Sequence, residues 1–299
     1  MKKIVIIILA LLLQSGVLFA ELKFADLQNV FPANLKNKNI PVSNFIVEYS
    51  SKYNNDVQID SVYYYADNLK IYGLLYRPVK KKIIAGIVIA HGYYPPESYY
   101  QGQGTLSTGI KLAESGFITI VPDYRGYYKS QGGASYPYPG ESIDVISAAK
   151  TLKIKYDLNK IYLIGYSWGG GIAATAAEIS DMFNKLVLYY PQLGGVEINQ
   201  REFSALKNNN QVKLTGREIL DFFKGKSPLY NCSLINIPVL IFHGKKDVTV
   251  KLEQPEKLVE LMKRSGKKVE MIVYDEYGHA FADGPDNKSW NKLVSFLKQ

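Results

Sequence analysis

From Ile83 to the C-terminus the chain alternates short, unbroken apolar runs with stretches of helical period, and this alternation restricts the fold more than any other feature. The runs are Ile83–Ala90, Ile118–Val121, Ile161–Ile164, Leu186–Tyr190, Val239–Phe242 and Val269–Tyr274. A short run with no polar alternation offers no face to water, so it reads as a strand covered on both sides. Between the runs, Val145, Ile146, Ala149 and Leu152 share one helical face. Leu258, Val259 and Met262 share another before Gly266 ends it, and Trp290, Leu293, Val294 and Leu297 mark a C-terminal helix. Upstream, Gln58–Tyr65 and Leu69–Tyr76 flank the polar turn Ala66-Asp67-Asn68 and predict an antiparallel pair. Together these runs predict an α/β fold: a mostly parallel eight-stranded sheet with helices on both faces. Ligands of such sheets bind beyond the carboxyl ends of the strands.

A chain of 299 residues suffices for one large domain with a buried core. Its 47% hydrophobic and 21% charged residues exclude disorder, and no repeat period suggests a solenoid. Residues 1–20 stand apart. Lys2 and Lys3 precede an apolar run from Ile4 to Leu13, and small and apolar residues lead to Ala20 before polar Glu21. That is the pattern of a secretory signal peptide, with a run shorter than the about 20 apolar residues of a membrane span. The expected location is secreted or periplasmic, with no stable membrane span once the signal is removed; an uncleaved N-terminal anchor is the alternative. Residues 21–44, rich in Asn and Lys, read as an N-terminal arm, and residues 45–299 as the catalytic domain. Cys232 is the single cysteine, so no internal disulfide forms, and it reads as a small buried apolar group. The net charge of +9 comes from dispersed Lys residues without interleaved aromatics, which describes a solvated basic surface and no nucleic-acid partner. No metal-ligand cluster and no nucleotide loop is visible, so neither a metal nor a cofactor is expected.

The chemistry concentrates at Gly165-Tyr166-Ser167-Trp168-Gly169, between the run Ile161–Ile164 and a small-residue helix from Gly170 to Ala177. A strand-to-helix turn this tight has no room for side chains at the flanking positions, hence the glycines. It lifts Ser167 above the sheet as a candidate nucleophile and aims the Trp168 N–H at a reacting carbonyl. A serine hydroxyl needs a base, and the chain has three histidines. His91 and His243 each end an apolar run and precede glycine, a setting for a structural histidine. His279 lies in a loop after the last run, free to reach over the sheet edge, and is the candidate base. Asp247, which follows the run Val239–Phe242, is the candidate acid that fixes the imidazole tautomer; Asp275 is its rival. The order Ser167, Asp247, His279 suits this fold. The second oxyanion donor, beside Trp168, is expected in His91-Gly92-Tyr93-Tyr94-Pro95, at the Tyr93 N–H, with a Tyr93 or Tyr94 side chain as the alternative.

These motifs identify a resemblance to the α/β-hydrolase superfamily. The stretch from Leu69 to Pro78, the His91-Gly92 turn, Pro122-Asp123-Tyr124-Arg125-Gly126, Gly165–Gly170 and His243–Asp247 resemble the catalytic domain of prolyl oligopeptidase-family hydrolases. The His91-Gly92-Tyr93 turn is also similar to that of acetyl xylan esterase and dienelactone hydrolase-like enzymes. The resemblance covers residues 45–299 and implies the triad and oxyanion roles given above. The sequence departs from the prolyl oligopeptidases in lacking a large β-propeller before this region, so oligopeptide specificity is not carried over. Arg125 reads as structural, holding loops together. The expected activity is an exported serine hydrolase acting on a small-molecule ester or short peptide; an acyltransferase of the same fold and a non-catalytic binding protein are the alternatives. Residues 192–231 interrupt the alternation, with a short helix near Arg217–Phe223, and read either as a small lid or as an ordinary connection. Of the 24 tyrosines, Tyr93, Tyr94, Tyr99, Tyr100, Tyr127, Tyr128, Tyr136, Tyr138, Tyr189 and Tyr190 fall near strand ends. They read either as an aromatic wall, with Tyr94, Tyr127 and Tyr190 as substrate-binding candidates, or as compositional bias.

Overall fold

The computed structural model of the chain describes residues 24–36, 39–133, 139–194, 214–281 and 287–299. The expected signal segment, Tyr136, Tyr138 and much of the lid candidate lie outside the described residues. A nine-stranded sheet forms the centre, in the order β1-β2-β3-β5-β4-β6-β7-β8-β9. The strands are β1 (Ile46–Lys52), β2 (Val57–Ala66), β3 (Leu69–Pro78), β4 (Ala85–Ala90), β5 (Phe117–Pro122), β6 (Ile161–Tyr166), β7 (Lys185–Tyr189), β8 (Val239–Gly244) and β9 (Val269–Tyr274). The pairs β1–β2, β2–β3 and β3–β5 are antiparallel; all others are parallel.

The count of nine corrects the expected eight. The additional strand, β1, is exposed at every residue. Among the described residues it pairs with β2 alone, at the edge of the sheet, and with every residue exposed it leaves no apolar run in the sequence.

Helices cover the sheet on both sides because alternate strand residues point to opposite faces. Val88, Ala90, Leu163, Leu186, Leu188 and Ile241 join one buried cluster with Val145, Ile172 and Leu258. These come from α4 (Pro139–Lys155), α5 (Trp168–Ile179) and α8 (Glu253–Arg264). Ile87, Ile89, Ile164, Val187, Leu240 and Phe242 join the opposite cluster with Ile110 and Leu297, from α3 (Leu106–Glu114) and α9 (Asn287–Lys298). The arm carries the short helices α1 (Phe24–Leu27) and α2 (Pro32–Leu35), and the interrupting segment carries α6 (Gly216–Lys226) and α7 (Pro228–Asn231). α6 starts at a capping box: the Glu218 N–H donates to Thr215 Oγ1 and the Thr215 N–H donates to the Glu218 carboxylate. Ile219 and Phe222 of α6 pack with Phe24, Val30 and Phe31 of the arm, so arm and insertion cover each other. Among the described residues, no helix is long and apolar enough to cross a membrane.

Two other expectations concern buried side chains. Arg125 donates to Asp144 of α4 through Nη2 at 2.7 Å and to Asp67 at 3.1 Å, tying the loop after β5 to that helix and to the β2–β3 turn. Cys232 is buried, and burial pushes its thiol up to about 11, which keeps it protonated and inert.

Candidate active site

β6 runs straight into α5 with Ser167 as the only residue between them. Ser167 has φ 51 and ψ −119, a backbone state that L-residues disfavour. The turn is possible because of its glycines. A Cβ at Gly169 would collide with the carbonyl oxygens of Ala90 and His91, and one at Gly165 with Gly169 and Gly170 of the incoming helix. Three backbone bonds hold the turn. Ser167 N–H donates to Tyr189 O at 2.9 Å, and Ser167 O accepts from Gly170 N–H and Gln192 N–H at 2.8 Å each.

Asp247 follows β8 and His279 follows β9, so adjacent parallel strands deliver both to one edge of the sheet. His279 Nδ1 lies 2.7 Å from Asp247 Oδ2, and His279 Nε2 lies 3.0 Å from Ser167 Oγ. A carboxylate only accepts, so Nδ1 carries the proton and Nε2 presents its lone pair to the serine hydroxyl. The other oxygen of Asp247 accepts from Thr249 N–H and Val250 N–H at 2.9 Å each, which fixes the carboxylate plane. These two amides were not identified from the sequence; an Asp followed two residues later by Thr is the local turn signal that exposes them. The rival Asp275 is spent elsewhere, in an exposed pair with Lys245 at 3.0 Å.

The remaining histidines are locked by their surroundings. His91 is fully buried and donates from Nδ1 to Gly92 O at 2.7 Å. Its ring lies 4.2 Å from that of Tyr124 and 4.8 Å from that of Tyr99, and burial pulls its pKa down to about 4. His243 is equally buried and donates from Nε2 to Val250 O at 2.9 Å; burial lowers its pKa too. Its Nε2 stands 3.5 Å from Asp247 Oδ2, against 2.7 Å for His279, so Asp247 serves His279.

The turn that carries Tyr93 borders the serine. A Cβ at Gly92, the residue before Tyr93, would stand 3.7 Å from Ser167 Cβ. Trp168 opens α5, and first-turn amides point off a helix N-terminus rather than into its ladder. The Tyr93 ring is exposed and meets Trp168 edge-on at 6.0 Å. Of the three wall candidates, Tyr94 is half-buried over Gly104. Tyr127 is wholly buried among Trp168, Tyr99 and His91. Tyr190 is buried with its ring 4.6 Å from that of His279. No group of three or more His, Cys, Asp or Glu side chains is assembled for a metal ion among the described residues.

A mostly parallel sheet, a strained serine turn at the end of a central strand, and a histidine and an aspartate delivered by later strands define an α/β-hydrolase fold. The chain belongs to the dienelactone hydrolase family, whose model matches residues 71–299. It is similar to an uncharacterized peptidase, YtmA, of Bacillus subtilis (strain 168), with 26% identity over 81% of this chain and 94% of that one. Among solved structures it resembles acetyl xylan esterase 1 from Thermoanaerobacterium sp. JW/SL YS485, with a TM-score of 0.68, 15% identity and 92% of each chain covered. It also resembles the acylaminoacyl peptidase of Pyrococcus horikoshii, with a TM-score of 0.58 and 15% identity over 88% of this chain but 50% of that longer one. At these identities the structural matches establish a shared fold.

Proposed function

We propose that this hydrolase is a serine hydrolase that cleaves a carboxylic ester or a short peptide through an acyl-enzyme on Ser167. The observation that carries the reading is the continuous relay from Ser167 Oγ to His279 at 3.0 Å and on to Asp247 at 2.7 Å. In the acylation step His279 Nε2 takes the hydroxyl proton as Oγ attacks the substrate carbonyl. The carbonyl oxygen becomes an oxyanion, stabilised by the N–H groups of Trp168 and Tyr93. Asp247 stabilises the imidazolium and keeps its orientation. His279 then protonates the leaving alcohol or amine. Deacylation repeats the sequence with water in place of the serine. The likeness to an esterase and to two peptidases supports both bond types as substrates.

A fluorophosphonate probe tests the nucleophile. The protein should take one label, and Ser167→Ala should take none; a labelled variant moves the nucleophile elsewhere. A panel of acyl esters and of aminoacyl and prolyl amides, run on wild type and Ser167→Ala, then separates ester from peptide cleavage. An added alcohol that diverts the acyl group would indicate transfer.

The reading includes export, supported by Lys2-Lys3 and the apolar run that follows. Intact mass of the exported protein should place its first residue at or near Glu21. A chain retaining Met1 in the membrane fraction would replace the cleaved signal with an anchor.

A further inference from the structure

The residue after β7 holds a conformation that its own side chain disfavours. Tyr190 has φ 38, in the left-handed region where a bulky residue is an outlier. Its ring is nevertheless almost wholly buried. Such a state persists where the surroundings over-determine it, and it clusters at functional sites. Here the surroundings are the three parts of the relay. The Tyr190 N–H donates to Phe242 O at 2.7 Å, in β8, the strand that leads to Asp247. The residues one before and two after it grip the nucleophile turn, through Tyr189 O on Ser167 N–H and Gln192 N–H on Ser167 O. Its ring meets the His279 imidazole at 4.6 Å between centroids and 59° between planes, and the Phe281 ring packs edge-on against it at 5.4 Å.

The imidazole needs such a wall. The imidazole is tethered through Cβ alone, and its orientation about that bond rests on the hydrogen bonds at Nδ1 and Nε2. The need grows once Ser167 is acylated. Oγ then has no proton to share, and the ring keeps the bond from Nδ1 to Asp247. The imidazole must still take a proton from water along a defined line. A ring packed against it restricts its swing at the step when its own hydrogen bonds do so least.

We infer that Tyr190 is a positioning residue that holds the His279 imidazole in line, and that deacylation depends on it more than acylation does. The inference deepens the serine-hydrolase reading and rests on it. The left-handed backbone suits glycine and tolerates asparagine, so Tyr190→Gly and Tyr190→Asn remove the ring without demanding a new backbone. Tyr190→Phe keeps the ring.

The test is steady-state and rapid-mixing kinetics on an activated acyl ester, with thermal melts confirming that each variant is folded. Tyr190→Gly and Tyr190→Asn should lose kcat by about 10- to 100-fold, the scale of a small misplacement of a reacting group. Their kcat/KM should fall less, because acylation is less affected, and an initial burst of leaving group should accompany slow turnover. Tyr190→Phe should stay near wild type. A folded Gly or Asn variant with wild-type kcat overturns the inference, as does an equal fall in kcat and kcat/KM without a burst. His279→Ala separates the two readings. If it is inactive while Tyr190→Gly is unimpaired, only the positioning role fails; if it keeps wild-type turnover, the base assignment fails and this inference with it.

Discussion

His91 and His279 both lie at the edge of the sheet that carries Ser167, each following a strand, yet their surroundings give them opposite capacities. His91 follows β4 with no solvent exposure, packed against Tyr94, Tyr99, Tyr124 and Tyr127, and its Nδ1 proton goes to a backbone carbonyl. The nearby carboxylate of Asp123 is engaged by Tyr99 and Gln101, at 2.8 Å each. His279 has a side chain 20% exposed, a carboxylate on one nitrogen and a hydroxyl on the other. A base must become a cation during turnover, so it needs an anion to receive that charge and a setting that tolerates it. Only the His279 region supplies both. The His91 region suits a neutral ring that fills the floor under the turn carrying Tyr93.

Substitution should separate the two regions cleanly. On the serine-hydrolase reading, His279→Ala should lower kcat by about 10⁴- to 10⁶-fold, the scale seen when a member of a triad is removed. Asp247→Asn should cost up to about 10⁴-fold, because the amide favours the wrong tautomer. Both variants should unfold as cooperatively as wild type. His91→Ala should do the reverse. It should reduce stability by about 2–4 kcal/mol, as for truncation in a packed core, and change turnover by less than about tenfold where the protein is folded. Ester hydrolysis and urea unfolding on the same preparations check both sides. An inactive His91→Ala variant of wild-type stability would break the comparison.

The sequence made one region more legible than the other. The serine turn could be read because its constraint is local: glycine is required where a Cβ would strike Ala90, His91 or the incoming helix. Asp247 and His279 could be read because each follows an apolar run, and adjacent parallel strands share an edge. β1 could not, since an exposed edge strand has no buried face to pattern. α3 was not anticipated either. It is short, and its apolar pattern is broken by Gly109, needed because the Tyr76 ring presses on that position. Tyr127 shows the limit of reading tyrosines by position: expected on a substrate wall, it lies wholly buried between Trp168 and Tyr99. The contact between Tyr190 and His279 joins two loops remote in sequence, and no spacing rule encodes it.

The smallest expected effect, and the one most specific to the buried histidine, is on the pH dependence of stability. Burial lowers the His91 pKa from 6.5 to about 4, because the charged ring would lose its hydration. Across that window the unfolded chain binds a proton that the native chain refuses, so the His91 contribution to stability rises with pH. It is fully present above about pH 6.5, lost progressively as pH falls to about 4, and constant below. The size is about 3 kcal/mol for a shift of this extent. Asp123 acts in the opposite sense. Burial raises its carboxyl from 3.8 to about 7, so the native chain keeps a proton that the unfolded chain releases, and stability from this group is lost as pH rises through that range. The two slopes overlap and oppose each other, which flattens the wild-type curve and conceals both. His91→Phe keeps an aromatic ring against Tyr99 and Tyr124 while removing one of the two titrations. Urea unfolding of wild type and His91→Phe at intervals from pH 7 to pH 4 isolates the difference. The variant should gain on wild type steadily as the pH falls, by about 3 kcal/mol across the window. A stability difference that stays constant with pH would mean that His91 accepts a proton in the native state as readily as in the unfolded chain, and burial would then not be what distinguishes it from His279.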